Sequence, residues 1–146
     1  MWNDREVSHP DFDLPPLAPP DVLAEWNDLA DQVCRELVRA GLPAHRSDRD
    51  DDRRAGAGVA VHVDRLADGG VFADWTTSDE LCAEALGLYA RGIDHDDPPS
   101  AVRHHNTVHV LMRDALTGIL ASAGFEVAVP DPHTYGSTAR VTGRRP

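Results

Sequence analysis

The chain contains no lysine; its fourteen basic side chains are all arginine. Without lysine there is no Walker A phosphate loop, no Schiff-base lysine for pyridoxal chemistry, no kinase-type lysine and no Ser-x-x-Lys nucleophile. Those classes are excluded outright. Cysteine is scarce too: Cys34 and Cys82 lie far apart, and no Cys-x-x-Cys exists. Neither a thioredoxin-like motif nor a cysteine-rich zinc knuckle is therefore available. Both cysteines fall inside helical patterns and read as small buried apolar residues. Isoleucine is nearly absent, and aromatic residues make up only 5% of the chain. No hydrophobic run approaches the length of a membrane span. The first residues carry Trp2, Asp4 and Glu6 without the apolar stretch of a signal peptide. A soluble cytoplasmic protein with no membrane partner is the expectation.

What the chain has in excess is negative charge. Its formal net charge is −11, with Asp and Glu at 25. This charge repels phosphate backbones and anionic membrane surfaces, so no nucleic-acid partner is expected, and it suits a basic protein partner. At 146 residues and 41% hydrophobic content, the chain fits one domain. A chain of this size buries roughly 68–70% of its unfolded surface and needs no metal or disulfide to fold.

Residues 1–20 hold Pro10, Pro15, Pro16, Pro19 and Pro20 and read as a Pro-rich extended arm, with Leu14 and Leu17 able to dock on the domain. A first helix over 21–40 follows, capped by Asp21. Val22, Trp26, Leu29, Val33 and Leu37 form its apolar stripe, and Gly41 and Pro43 end it. Residues 46–56 lack apolar periodicity and read as a solvated loop.

A hairpin comes next. Val59, Val61 and Val63 alternate with Ala60, His62 and Asp64 before Asp68-Gly69-Gly70 and a second strand from Val71 to Thr76. For the valines to share a face with Val71, Ala73 and Trp75, paired residues must have equal parity. That demands an odd-numbered loop, such as three residues ending at Gly70. Thr77 and Glu80 form a capping box for a second helix reaching Arg91, with Leu81, Ala85, Leu86, Leu88 and Tyr89 apolar. A third helix spans 98–123, capped by Asp97, with Val102, His105, His109, Met112, Leu116 and Ile119 in its stripe. Phe125, Val127 and Val129 make a strand, residues 138–142 a weak edge strand, and 143–146 a loose tail.

This order predicts a single α+β domain over 21–142. It is a two-layer sandwich in which about three helices cover one face of a small, mostly antiparallel sheet built from the hairpin and the C-terminal strand. Ala60, Leu66 and Phe72 point to the opposite face, which is only half apolar and open to a partner, a dimer mate or the N-terminal arm.

His105 and His109 are the one positional signal for chemistry. Four apart on a helix, they project from one face at the spacing of transition-metal ligands. Asn106 stands where a zincin has its glutamate base, so that hydrolytic chemistry is missing its general base. The competing reading is two half-buried packing histidines. His45 or His62 is a third ligand only if the hairpin lies against the start of this helix.

The run Asp48, Asp50, Asp51, Asp52 lacks the glycine and closing glutamate of a calcium loop. Gly56-Ala57-Gly58 precedes a strand instead of following one, so it is no dinucleotide fingerprint. The helix–strands–helix order loosely resembles double-stranded RNA-binding domains, but Ser78-Asp79-Glu80 at the start of the second helix would repel phosphate. No catalytic triad is present. Trp2, Phe72 and Tyr135 are the aromatic candidates for partner contacts.

The reading these residues favour is a non-enzymatic protein acting through protein–protein interaction or regulation, with self-association as a homodimer one form of it. A transition-metal-binding protein using His105 and His109 is the alternative, and that ion is the sole cofactor in view. A nucleic-acid mimic fits the charge alone.

Overall fold

The computed structural model describes residues 15–49, 56–129 and 138–146. The elements run α1 (Pro20–Arg39), β1 (Ala44–Arg46), β2 (Gly58–Asp64), β3 (Gly70–Thr76), α2 (Asp79–Ala90), α3 (Ser100–Ser122), β4 (Phe125–Ala128) and β5 (Ala139–Arg144). The five strands form one sheet in the order β1-β2-β3-β5-β4. Only β1 and β2 pair in parallel, so the sheet is mixed.

The architecture is the expected two-layer α+β one, with two changes in the sheet. Residues 44–46 form an edge strand beside β2. The predicted weak edge strand at the C-terminus is β5, which lies inside the sheet between β3 and β4. Its alternation is easily missed because only Ala139 and Val141 carry the buried side, while Arg140 and Thr142 interleave.

Parity holds in the hairpin. Val59 pairs with Trp75, Val61 with Ala73 and Val63 with Val71. The loop is odd-numbered but longer than expected, since Asp64 pairs with Gly70 across residues 65–69. A side chain on Gly69 would run into the carbonyl oxygen of Asp64, so this turn requires glycine.

On the core face, Ala30, Val33 and Leu37 of α1 and Leu116 and Leu120 of α3 pack over Val59, Val61, Val63, Val71, Ala73, Phe125 and Val141. These side chains are removed from water together, which is the main drive for folding. Of the three helices, α1 and α3 lie against the strands, whereas α2 makes its main packing on α3.

Helix starts differ from expectation by a residue or two, for steric reasons. A residue before proline is pushed out of the α region. The Pro19-Pro20 and Pro98-Pro99 pairs therefore start α1 at Pro20 and delay α3 to Ser100, with no side-chain cap from Asp21 or Asp97. Ser78, not Thr77, caps α2, accepting a hydrogen bond from the Leu81 amide at 3.3 Å.

The end of the Pro-rich arm is docked by its backbone. The Ala18 amide donates to Arg65 O at 2.9 Å and the Ala67 amide to Pro16 O at 2.7 Å, around a bridge between Leu17 and Leu66. Leu14 lies outside the described residues.

Candidate functional site

The α3 stripe places both histidines in one half-buried row between Val102 and Leu116. Their rings lie 4.5 Å apart at 44°, and His105 Nδ1 is buried without a hydrogen-bond partner among the described residues. Burial, with the neighbouring His105, holds the His109 imidazole below its usual range, and Asp74 opposes this in part. Burial pushes the Asp74 carboxyl up, against the pull of His62, His109 and His45. Asp74 therefore sits in the field of three imidazoles. No group of three or more His, Cys, Asp or Glu side chains among the described residues is placed to hold a metal ion.

The sheet face away from the core carries two cross-strand rows. His45, Ala60 and Asp74 are in register across β1, β2 and β3; His62, Phe72 and Arg140 are in register across β2, β3 and β5. Phe72 is fully buried. The His62 ring stacks on it at 5.5 Å, and the Arg140 guanidinium lies 5.6 Å from its centroid while donating to the Gly69 carbonyl. Phe72 thus forms the floor of this face instead of an exposed contact. Trp2 and Tyr135 lie outside the described residues.

One polar centre was not legible as such in the sequence. Arg46, placed by the sequence in a solvated loop, is only 4% exposed. Its guanidinium donates to Asp31 Oδ1 at 2.9 Å, to Asn27 Oδ1 at 2.8 Å and to both Asp48 oxygens at 2.9 Å. Asp48 in turn accepts from the Val63 amide at 3.1 Å. This cluster ties α1 to the sheet edge and has its hydrogen bonds satisfied internally, as a structural anchor does. Asp50, Asp51 and Asp52 lie outside the described residues.

A cleft of about 640 Å³ opens between the C-terminal ends of α1 and α3. Its charged side chains are already engaged: Arg39 pairs with Glu36, and Arg144 donates to Gln32 while lying over Phe125.

The surface of α2 is different. Leu81 to Ala90 reads Leu-Cys-Ala-Glu-Ala-Leu-Gly-Leu-Tyr-Ala, with one charged residue in ten. A stretch this apolar normally has most of its surface covered. Here Ala85 alone is buried, and Leu86 and Tyr89 are 61% and 41% exposed. Tyr89 Oη accepts from Asn106 Nδ2 of α3 at 3.3 Å, and Val110, one turn beyond Asn106, is 39% exposed. Leu86, Tyr89 and Val110 thereby form one apolar seam across two helices.

The segment that carries α2 is acidic. Residues 77–99 hold Asp79, Glu80, Glu84, Asp94, Asp96 and Asp97 against Arg91 as the one arginine. The sequence pattern marked Leu86 and Tyr89 as apolar positions of this helix. Glu80 and Glu84 take one side of α2, and Leu81, Ala85, Leu86, Leu88 and Tyr89 spread over more of the rest than one partner helix can cover.

No known protein family, no curated protein and no solved structure matches the chain.

Proposed function

We propose that the protein is a non-catalytic interaction module that binds a protein partner through the α2–α3 seam. The observation that carries this reading is the twelve-residue helix α2, which buries only Ala85 and leaves Leu86 and Tyr89 exposed, together with Val110 of α3. Large apolar side chains left in water on adjoining helices cost free energy that a partner recovers by covering them. The polar clusters fit this reading. Arg46 is consumed in holding α1 to the sheet, and the histidines beside Asp74 lack the third ligand, among the described residues, that a metal site needs.

A photo-crosslinking residue at position 86, in cells that naturally express the protein, tests this directly. The same residue at position 38 is the control, because Val38 is equally exposed, at 57%, but lies on α1. A discrete adduct of higher mass is expected from position 86 and not from 38. Identical adducts from both positions, or none from 86, would overturn the proposal.

A further inference from the structure

Resting on the interaction reading above, we infer the chemistry of the partner: a basic amphipathic helix from a different protein, laid along the α2–α3 seam. Three observations carry it. Cys82, Leu86 and Tyr89 recur at helical spacing along one side of α2, with Cys82 half-buried and Leu86 and Tyr89 exposed. They continue across the Tyr89–Asn106 hydrogen bond to Val110 on α3. Two neighbouring helices with an apolar seam present the ridges and groove into which a third helix packs.

The second observation is charge. Six carboxylates against one arginine over residues 77–99 give α2 and its link to α3 a net charge of −5, histidine aside. Among the described residues, Arg103 alone pairs with one of these carboxylates, at 3.9 Å from Asp97 and with both side chains exposed. Asp94 also accepts from the Asp96 amide at 3.0 Å. The exposed carboxylates of this segment can meet Lys or Arg of a partner, and charges at an interface edge set selectivity and association rate.

The third observation disfavours a second copy as occupant. A two-fold dimer through this seam would bring the same acidic segment of each copy close to the other, in a chain already at −11. Like charges facing one another across an interface oppose association, so the complementary surface belongs to a basic chain.

Two synthetic helices of about eighteen residues, identical in their leucine stripe but carrying either Lys or Glu on the flanks, serve as probes. Their binding to the full chain is measured by fluorescence anisotropy at low and moderate salt. The double variant Leu86→Ser/Val110→Ser removes the seam without altering charge, and Val38→Ser is the matched control on α1. The Lys helix should bind at least about tenfold tighter than the Glu helix. The double variant should lose about tenfold, Val38→Ser should not, and salt should weaken the complex.

Equal binding of both probes, lost in the double variant, would overturn the basic-partner inference and leave the seam as a binding surface. Binding of the Lys helix that survives the double variant would overturn both, since net charge alone would then explain it. No binding of either probe would also overturn the inference, as would a dimer in sedimentation equilibrium that the double variant abolishes.

Discussion

Arg46 shows how a charge is held inside a small fold. Its guanidinium meets Asp31, Asp48 and Asn27 with donors and acceptors matched. Removing the arginine leaves Asp48 without its charged partner and Asp31 with the exposed Arg49 at 3.0 Å. Because Asp31 and Asp48 are partly open to solvent, Arg46→Ala should cost about 2–4 kcal/mol in urea unfolding, toward the lower end of the range for breaking a buried pair.

The same cluster gives a pH signature. Burial raises the Asp48 pKa, but hydrogen bonds from Arg46 and from the Val63 amide outweigh it and leave the group below the usual carboxyl range. The unfolded chain thus takes up the proton first as pH falls. The stabilisation is complete above the ordinary carboxyl pKa and is lost as pH drops through Asp48's lowered value. Asp48→Asn should flatten that acid limb in unfolding free energy measured against pH. A limb of unchanged steepness would contradict the assignment.

None of this was legible beforehand. Arg46 stands at the head of a run of charged residues, and composition says solvent there. What decides its burial is a three-residue strand, too short to show alternation, together with Asn27 and Asp31, one turn apart on a helix far away in sequence.

At the scale of elements, the readable features were those with a period. The α1 and α3 stripes, the hairpin and its parity all rest on repeats of several residues, and each is present. The parallel β1–β2 pair is not periodic. It depends on the turn after α1, where the Val59 amide donates to the Pro43 carbonyl at 2.8 Å. Gly58 makes that approach possible, with φ at +133° and an added Cβ only 2.8 Å from the same carbonyl oxygen. Gly58→Ala should therefore destabilise by about 2–3 kcal/mol, read as a lower denaturation midpoint with unchanged slope. A neutral effect would mean that β1 is not seated as described.

β5 escaped the pattern for a related reason. Two inward residues do not make an alternation, and its central place comes from hydrogen bonds to strands on both sides.

For the whole molecule, the division of labour is between a closed face and an open seam. α1 and α3 cover the sheet and bury the valines, and no helix among the described residues is long and apolar enough to cross a membrane. α2 adds little to that core. Leu86 and Tyr89, read from the sequence as apolar positions of this helix, lie outside that core. The candidate site was thus half legible: the residues were marked as apolar, but which side of α2 meets α3 is a tertiary fact.

The account stands on the claim that the seam serves binding and not the stability of the monomer. Urea unfolding of Leu86→Ala beside Leu116→Ala measures that most directly. Leu116 is fully buried, so its truncation should cost about 2–5 kcal/mol, whereas Leu86→Ala should stay within about 1 kcal/mol of the parent. Comparable losses in the two variants would make Leu86 a core residue and contradict the account.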